Sequence, residues 1–247
     1  MPPVADRAAI VTGASTGIGL AIARMLGEEG HALTVNSRRP ERIEAAVQEL
    51  QAAGIEVQGV AGDVGDEAVV QQVVSEHGGR YGRLDVLVNN AGVGIGQPLA
   101  ELSTKRMDVQ LAANLRSTIL FYREALELLK AAGAEHRNAL VVNTASVAGK
   151  QGEAWLSVYS ATKAGVIAYT QAMNRELKDL GIKSTALAPA FVDTAMTDFV
   201  KEHVPAEQMI QTQDIAEAVR MLLRLTPACL IPELVFTAPG GALGLPS

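Results

Sequence analysis

The chain has 247 residues, of which 48% are hydrophobic, and this is enough to bury one sizeable core. Its formal net charge is −6 with no block of Lys or Arg, which argues against a surface for nucleic acid or for an anionic membrane. The single cysteine excludes an internal disulfide, and no apolar stretch reaches membrane-spanning length, so we expect a cytoplasmic protein.

Apolar runs suited to buried parallel strands alternate with helical patterns along the chain. The predicted strands cover residues 7–12, 32–36, 55–61, 84–89, 138–145, 182–188 and 233–237. The predicted helices cover residues 17–29, 40–53, 66–79, 99–111, 113–132, 153–180 and 213–225. This alternation predicts an α/β fold, a doubly wound parallel sheet of about seven strands between two helix layers. We expect one domain over residues 1–247, with ligands at the carboxyl ends of the strands.

Local residue choices support several of these boundaries. Gly30 and Gly54 follow helical runs, where the residue past the helix end often needs a positive φ. Pro40 suits the first turn of the second helix, and Asp214 is expected near the start of the last long helix.

The first strand runs into a glycine-rich turn, Thr12 to Gly19, that opens a helix. A helix start has unpaired N–H groups and partial positive charge, so it favours an anion. Glycines without a Cβ let a pyrophosphate sit against the backbone. The alternative is a strand–helix turn without a ligand. The predicted phosphate-binding residues are Gly13, Ser15, Thr16, Gly17, Ile18 and Gly19.

The turn after the second strand is predicted to face the adenosine ribose of a dinucleotide. Ser37 stands where an acid would bind the ribose 2′-hydroxyl and repel a phosphate, and Arg38 follows it. A guanidinium holds a 2′-phosphate through paired hydrogen bonds, so we favour NADP(H) over NAD(H). The alternative is that Arg38 is a solvated surface charge.

Two further strand ends carry candidate cofactor residues. Asp63 can accept a hydrogen bond from the adenine amino group while Val64 lies along the ring, or Asp63 can cap the following helix. After the fourth strand, Asn90, Ala91 and Gly92 let the backbone approach the adenosine. Asn90 and its neighbour Asn89 can equally have a structural role, tying strand ends together.

Tyr159 and Lys163 lie four positions apart in a predicted helix, so the phenol and the ammonium share one face. A phenol with a pKa near 10 is a poor proton shuttle at pH 7 unless its anion is favoured. An ammonium about 4 Å away contributes roughly 4 kcal/mol at an effective dielectric of about 20, before desolvation is subtracted. We therefore expect Lys163 to lower the pKa of Tyr159. A surface helix contact is the alternative.

Ser146 ends the fifth strand, where its hydroxyl could hydrogen-bond a substrate carbonyl oxygen facing Tyr159. Asn114, early in a long helix, could steer a water or a backbone carbonyl toward Lys163 and so give the proton a way out. For each of these residues in isolation, a capping role is the alternative. Nothing in the sequence indicates a metal site.

Together these residues resemble the short-chain dehydrogenase/reductase family over essentially the whole chain. The motifs follow in the family's order, and Tyr159 comes 13 positions after Ser146, as the family pattern has it. The resemblance implies a Rossmann-type subunit that uses NAD(P)(H), and Ser37 with Arg38 resembles the NADP-preferring branch. The nearest members by pattern are 3-oxoacyl-acyl-carrier-protein reductases.

The resemblance also implies roles for individual residues. Tyr159 would be the acid/base, Ser146 would orient the carbonyl, and Asn114 would anchor a proton relay. Lys163 would lower the pKa of Tyr159 and bind the nicotinamide ribose. The family further implies a homotetramer, or a homodimer, with the helices near 99–132 and 153–180 at one interface.

One departure from the family concerns the segment after the sixth strand, where Ala190 replaces the usual glycine after Pro189. If that glycine uses a positive φ, Ala190 costs roughly 1 kcal/mol. The resemblance implies that Pro189, Val192 and Thr194 contact the cofactor, the last two by holding the nicotinamide carboxamide.

Residues 195–212 are expected to form a short lid helix over a mostly apolar substrate, although their apolar side chains could pack against the body instead. The helix ends near Lys130 and Asp179 carry little positive charge, whereas a surface for an acidic carrier protein should be basic. Carrier-protein reduction therefore stays open, and a free small carbonyl or a coenzyme A thioester is an equal alternative. Since no Arg stands in the expected pocket to demand a carboxylate, a ketone or aldehyde with an apolar body is favoured.

The predicted function is NADPH-dependent reduction of a small carbonyl compound to an alcohol. The alternatives are a secondary alcohol dehydrogenase working in the oxidising direction and a non-catalytic NADP(H)-binding sensor. A lyase on the same fold is disfavoured, because the three glycines of the turn and Lys163 are intact.

Overall fold

The strands of the protein lie in one parallel sheet. The structure is a computed structural model that describes residues 6–239. Its strands are β1 (Ala8–Thr12), β2 (Ala32–Ser37), β3 (Val57–Ala61), β4 (Val86–Asn89), β5 (Ala139–Thr144), β6 (Ile182–Pro189) and β7 (Glu233–Phe236). All seven predicted strands are confirmed, with boundaries that differ by at most two residues at each end.

The strand order is β3-β2-β1-β4-β5-β6-β7, so the chain leaves β1 first toward one edge of the sheet and later toward the other. Val11 of β1 therefore pairs with Val35 of β2 on one side and with Val88 of β4 on the other. This reversal opens a crevice at the carboxyl ends of β1 and β4, which is where doubly wound sheets bind ligands.

Helices cover both faces of the sheet. They are α1 (Gly17–Glu28), α2 (Pro40–Ala52), α3 (Glu67–Tyr81), α4 (Thr104–Gln110), α5 (Ser117–His136), α6 (Ser157–Glu176) and α7 (Thr212–Leu223). Successive strand side chains point to opposite faces, so Val11 belongs to the core beneath α1, α2 and α7, whereas Ile10 belongs to the core beneath α3 and α5. The predicted doubly wound α/β fold is confirmed.

The predicted helix 99–111 is wrong in its first half. A 3₁₀ turn covers Leu99–Glu101, and α4 begins after Ser103, whose hydroxyl accepts a hydrogen bond from the backbone N of Arg106 at 3.3 Å. A π-helical turn, Leu111–Arg116, then joins α4 to α5 without a break. The hydrophobic period does not distinguish this wider turn from an α-helix.

The predicted helix 153–180 is too long at both ends. Helix α6 begins only at Ser157, because Trp155 adopts a left-handed backbone with φ 53° and cannot continue a right-handed helix. The Trp155 carbonyl instead accepts a hydrogen bond from the backbone N of Gln97 at 2.6 Å. At the other end, α6 stops at Glu176 and a 3₁₀ turn follows.

The local boundary signals are confirmed. Gly30 and Gly54 have φ values of 85° and 78°, and Pro40 is the first residue of α2. Asp214 accepts a hydrogen bond from the backbone N of Gln211 and so caps α7. Between residues 6 and 239, no helix has both the length and the apolar character that crossing a bilayer requires.

Candidate active site

The glycine turn between β1 and α1 is built so that backbone lines its surface. Gly13 and Gly17 have φ values of 63° and 60°, which favour glycine. A Cβ on Gly13 would lie 2.8 Å from the Cα of Ala91, and one on Gly19 would overlap the carbonyl oxygen of Gly13. The N-cap of α1, Thr16, makes no side-chain capping bond, so no side chain covers this helix start at that residue. These features fit a bound phosphate.

Two polar side chains tie the strand ends together beside this turn. The Thr12 hydroxyl accepts hydrogen bonds from the backbone N of Asn90 and of Ala91, both at 3.0 Å. The Asn90 amide donates to the Gly13 carbonyl at 3.2 Å, and its oxygen accepts from the Thr144 hydroxyl at 3.2 Å. Asn90 therefore has the structural role that the sequence left open, and it joins the ends of β1, β4 and β5.

A cavity of about 580 Å³ opens at these strand ends and extends from the glycine turn to Trp155. It brings together most of the predicted site residues: Gly13, Thr16, Gly17, Ile18, Asn90, Ala91, Gly92, Ser146, Tyr159, Lys163, Pro189, Val192 and Thr194. The predicted residues outside its lining are Ser15, Gly19, Ser37, Arg38, Asp63, Val64 and Asn114.

Lys163 is buried in this cavity, with 4% of its surface exposed. Its Nζ donates a hydrogen bond to the Thr144 carbonyl at 2.6 Å and lies 5.6 Å from the centre of the Tyr159 ring. Burial lowers the pKa of Lys163 to about 8, because desolvation disfavours the charged form. At pH 7 the side chain is still mostly the ammonium.

The predicted lowering of the Tyr159 pKa is wrong for the protein as described. Burial raises the pKa of Tyr159 above its usual value, and a hydrogen bond with Ser146 offsets only part of that effect. The phenolate would lose hydration in the cavity, and this cost exceeds what the surrounding residues return. The predicted net lowering of the Tyr159 pKa is therefore absent in the protein as described, and the contribution of Ser146 does not reverse the effect of burial.

Ser146 both caps a turn and faces the cavity. It follows β5, and its hydroxyl accepts a hydrogen bond from the backbone N of Ala148 at 3.2 Å. The same hydroxyl donates to the Pro189 carbonyl at 3.4 Å. The hydrogen bond from Ala148 is the capping role that the sequence left open for Ser146. The hydrogen bond to Pro189 is long, so the hydroxyl can donate to a ligand oxygen in its place.

Asn114 lies in the π-helical turn and is buried. Its oxygen accepts from the backbone N of Val93 at 2.8 Å, and its amide donates to the Val93 carbonyl at 2.9 Å and to the Thr162 hydroxyl at 3.1 Å. The side chain therefore clamps the loop after β4 against α6. Within residues 6–239 it makes no hydrogen bond to Lys163, so the predicted relay through this side chain stays a prediction.

At the far end of the site, the turn after β2 has polar groups without partners. The Ser37 hydroxyl is buried and has no hydrogen-bond partner among the described residues, and Arg38 is exposed and forms no ion pair there. The neighbouring Asn36 amide donates to the Val60 carbonyl at 2.9 Å, which fixes this turn against β3. A buried hydroxyl and an unpaired guanidinium fit the ribose phosphate predicted from the sequence.

The structure separates the alternatives for Asp63 and Val64. The cap of α3 is Asp66, which accepts from the backbone N of Ala68 at 3.0 Å, so the capping role considered for Asp63 is wrong. Asp63 accepts from the backbone N of Gly65 at 2.9 Å and is otherwise exposed. The Val64 side chain is buried in the core, which leaves its backbone rather than its side chain for a nucleotide.

The segment after β6 carries its unusual alanine without strain. Among residues 6–239, only Arg137 and Trp155 are non-glycine residues with positive φ, so the cost considered for Ala190 does not arise. The Ala190 backbone N donates to the Phe236 carbonyl at 2.9 Å. A Cβ on Gly17 would lie 3.1 Å from Thr194 Cγ2, so this segment packs directly against the glycine turn.

The predicted lid helix is wrong in form. Residues 195–212 contain two 3₁₀ turns, Ala195–Val200 and Ala206–Gln208, before α7 begins. Met196 and Phe199 line the cavity and are 50% and 58% exposed. Val200, Met209 and Ile210 are buried against the body, and Val204 is half-buried. One part of the segment therefore borders the cavity and another packs against the body, and its role as a lid over a substrate stays a prediction.

The mouth of the cavity contains features that the sequence did not reveal. Trp155 packs edge-to-face on Phe199, with ring centres 6.2 Å apart, and its ring closes over Gly96, where any Cβ would overlap it. Glu153 also lines the cavity. No motif in the sequence distinguishes Trp155 or Glu153.

The doubly wound sheet, the glycine turn at its reversal point and the Tyr–Lys pair in the adjoining cavity define a Rossmann-type oxidoreductase. The chain belongs to the short chain dehydrogenase family, whose profile matches residues 7–205.

Known proteins of this kind are similar over most of the chain. A 3-oxoacyl-acyl-carrier-protein reductase, FabG, of Staphylococcus aureus is 34% identical over 226 residues, which cover 87% of this chain and 90% of that protein. The crystal structure of a variant actinorhodin polyketide ketoreductase with NADPH is 35% identical, with a TM-score of 0.84 and coverage of 93% and 95%. An alcohol dehydrogenase of Thermococcus sibiricus complexed with 5-hydroxy-NADP is 32% identical, with a TM-score of 0.83 and the same coverages.

Proposed function

We propose that this protein is an NADPH-dependent reductase that converts a ketone or aldehyde to an alcohol. The observation that carries the proposal is the meeting of Ser146, Tyr159 and Lys163 in one cavity beside the glycine turn. The reductase names of two similar proteins and the NADP-type cofactors in two similar structures support it. The alcohol dehydrogenase among them catalyses the same class of chemistry.

NADP(H) fits the chain's own residues. The backbone of Gly13 and Gly17 and the uncovered start of α1 would hold the pyrophosphate. Ser37 and Arg38 would bind the ribose 2′-phosphate, with the unpartnered hydroxyl and guanidinium supplying the donors. The test is to measure the Michaelis constants for NADPH and for NADH. We expect the lower constant for NADPH, and a lower constant for NADH would contradict the assignment.

The remaining predicted contacts divide by position. Asp63 and the Val64 backbone would lie at the adenine. Asn90, Ala91 and Gly92 would border the adenosine. Ser15, Thr16, Ile18 and Gly19 complete the phosphate turn, and Pro189, Val192 and Thr194 would hold the nicotinamide end. Each of these contacts can be tested by a structure of the complex with NADP.

When bound, NADPH supplies the hydride that reaches the carbonyl carbon. The Ser146 hydroxyl donates a hydrogen bond to the carbonyl oxygen and holds it toward Tyr159. The Tyr159 hydroxyl gives its proton to that oxygen as negative charge develops there. The ammonium of Lys163, held by the Thr144 carbonyl, stabilises the phenolate that remains.

The raised pKa of Tyr159 keeps its phenol protonated at neutral pH, as the proton donor for reduction must be. An unshifted phenol would also be protonated at that pH, so the pKa does not choose between reduction and oxidation. Reduction is placed ahead of the oxidising alternative because similar proteins carry reductase names.

The cavity walls select for a substrate with an apolar body. Trp155, Leu156 and Phe199 line the part of the cavity beyond Tyr159. A carrier-bound substrate would need a basic docking surface, and the chain offers little positive charge at the helix ends considered above. A free carbonyl compound or a coenzyme A thioester fits better.

The test is NADPH oxidation by the purified protein against acetoacetyl-coenzyme A, diketones, aromatic ketones and steroids. We expect turnover with at least one class, and loss of that turnover in Tyr159→Phe with NADPH binding retained. NADPH binding with no turnover across the panel would contradict the proposal and would favour the sensor alternative.

Assembly and location are part of the same proposal. We expect one cofactor-binding domain that forms a homotetramer or homodimer through α5 and α6. Val109, Leu111 and Ile119 support this expectation, since each is 39% exposed on or next to these helices. Light scattering of the purified protein tests it. The cytoplasmic location stays a prediction from the composition.

A further inference from the structure

The cavity contains a carboxylate that the proposed mechanism does not use. Among the lining residues that the structure describes, within 6–239, only Glu153 and Lys163 carry charge. Lys163 is accounted for by the Thr144 carbonyl and Tyr159. Glu153 stands between β5 and α6, on the wall that adjoins Tyr159.

The main chain of Glu153 is fixed to the first turn of α6. Its backbone N donates a hydrogen bond to the Ser160 hydroxyl at 3.2 Å, and its carbonyl accepts from the backbone N of Leu156 at 3.2 Å. The first bond involves α6, the helix that carries Tyr159, and the second involves its N-cap residue. The main chain of Glu153 is therefore fixed relative to that helix.

The carboxylate itself has no partner in the part of the chain that the structure describes. Its Oε1 is buried without a hydrogen bond, and neither oxygen forms an ion pair within residues 6–239. Asp85, a buried carboxylate elsewhere in the protein, accepts hydrogen bonds from Ala8, Arg83 and His136. Glu153 is half-buried, so one carboxylate oxygen rather than the whole group is an unpaired buried acceptor, and this costs free energy unless something binds it.

The groups around Glu153 define what could bind. Apolar side chains dominate this end of the cavity, namely Trp155, Leu156, Met196 and Phe199. Thr197 also lines it, but its hydroxyl already donates to the Val192 carbonyl at 2.6 Å. A carboxylate is an acceptor only, so it pairs with a hydroxyl or, more strongly, with an ammonium. The exposed aromatic rings would also favour a cation, whereas an anionic group would be repelled.

We propose that Glu153 determines substrate specificity, by accepting a hydrogen bond from a hydroxyl or ammonium group that the carbonyl substrate carries near its reacting carbon. This inference rests on the proposed function and deepens it. The substrate class is a hydroxy ketone or amino ketone (or the corresponding aldehyde) with an apolar body. A keto acid with its carboxylate at that position is excluded.

The test uses three ketones of one skeleton: propiophenone, α-hydroxyacetophenone and α-aminoacetophenone. They place a methyl, hydroxyl or ammonium group at the same position, and the measurements are made where the amine is protonated. A second set carries the same groups one carbon further from the carbonyl. The kcat/KM of each is measured for the wild type and for Glu153→Gln. For each protein we take the ratio of kcat/KM between two ketones. Comparing this ratio between the wild type and Glu153→Gln removes the difference in intrinsic reactivity of the two ketones.

We expect the ammonium-to-methyl ratio to fall roughly 10- to 100-fold in Glu153→Gln in at least one set, as for loss of a hydrogen bond to a charged group. The hydroxyl-to-methyl ratio should fall less, because the amide oxygen still accepts. Glu207→Gln is the matched control, since Glu207 is exposed and lies outside the cavity lining, and its ratios should equal those of the wild type. Unchanged NADPH binding and unfolding temperature identify a folded variant.

Two different results would contradict the inference, and they distinguish its failure from the failure of the proposed function. Ketone reduction with the same ratios in wild type and Glu153→Gln, in both sets, would overturn the role of Glu153 and leave the proposed function standing. Failure of the wild type to reduce any ketone, these six included, would overturn the proposed function and the inference with it.

Discussion

The two ends of the parallel sheet each bury a cluster of ionisable side chains, and the clusters differ in how completely they are paired. At the amino end, Asp85 is 2% exposed and accepts hydrogen bonds from the backbone N of Ala8 at 2.8 Å, from Arg83 at 2.9 Å and from His136 at 2.8 Å. At the carboxyl end, Lys163 has one backbone acceptor at its ammonium, and Ser146 offsets only part of the effect of burial on the Tyr159 pKa.

The pKa values show the effect of that difference. Burial alone would raise the pKa of Asp85, but the bonds from Arg83, Ala8 and His136 outweigh it and hold the pKa below its usual value. At the carboxyl end burial prevails, lowering the pKa of Lys163 to about 8 and raising that of Tyr159. The fully paired cluster around Asp85 stabilises the fold. The incompletely paired cluster holds Tyr159 and Lys163 with shifted pKa values, as is typical of groups that transfer protons.

The largest expected effect is a loss of activity when the cluster at the carboxyl end is altered. Tyr159→Phe removes the proton donor, so kcat should fall roughly 10²- to 10⁴-fold, the usual contribution of general acid catalysis. NADPH binding and the unfolding temperature should change little, because the ring is kept. Steady-state kinetics and thermal unfolding check this. A variant that keeps a tenth or more of the wild-type kcat would contradict the role of Tyr159.

The next effect appears in stability rather than in activity. Asp85→Ala leaves Arg83, His136 and the Ala8 amide without their acceptor, so the free energy of unfolding should fall by about 3–5 kcal/mol. Urea unfolding measures it, and kcat of the folded protein should be unchanged. Glu49→Ala is the control, since its ion pair with Arg24 is exposed and should contribute less than about 1 kcal/mol. Equal losses in the two variants would contradict the comparison.

A third prediction concerns the loss of stability at acid pH that buried His77 causes. Buried His77, which contacts Thr34 and Arg83, has its pKa lowered by burial to about 4. The unfolded chain, with a histidine pKa near 6.5, takes up the proton first as the pH falls. Stability is therefore full above about pH 6.5 and is lost on the way down to about 4, by about 3 kcal/mol in total.

Urea unfolding between pH 7 and 4.5 measures this loss. In His77→Gln the decline over that range should be smaller, because the glutamine does not titrate, even if the variant is less stable at pH 7. Parallel declines in the two proteins would show that other groups control the acid sensitivity.

The smallest effect is a gain in stability at the amino end. Arg137 ends α5 with φ 55° and is exposed, so Arg137→Gly should relieve about 1 kcal/mol of backbone strain. Thermal unfolding should show a higher midpoint with unchanged kcat. A lower midpoint would mean that the Arg137 side chain contributes more than its strained backbone costs.

The fold could be predicted from the sequence because its signals are local. Continuous apolar runs mark strands buried on both faces, and Gly30, Gly54 and Pro40 mark helix ends by backbone chemistry alone. The same holds for Tyr159 and Lys163, whose spacing of four residues places them on one helix face.

The rest depends on tertiary burial, which spacing does not encode. The pKa of Tyr159 rises because the surrounding cavity removes water, and Val64 turns into the core rather than toward the nucleotide. The left-handed Trp155 and the π-helical turn at Asn114 have no sequence signature. Glu153 reads as an ordinary surface acid until the cavity around it is seen.

The account depends on two transfers to one carbonyl group: a hydride from NADPH to its carbon and a proton from Tyr159 to its oxygen. The most direct measurement uses NADPH with deuterium at both hydrogens of the transferring carbon and a ketone that the wild type reduces. We predict deuterium on the carbinol carbon of the product. We also predict that Tyr159→Phe, although it binds NADPH, forms this product at a rate lower by roughly 10²- to 10⁴-fold. Product without deuterium, or equal product from the variant, would contradict it.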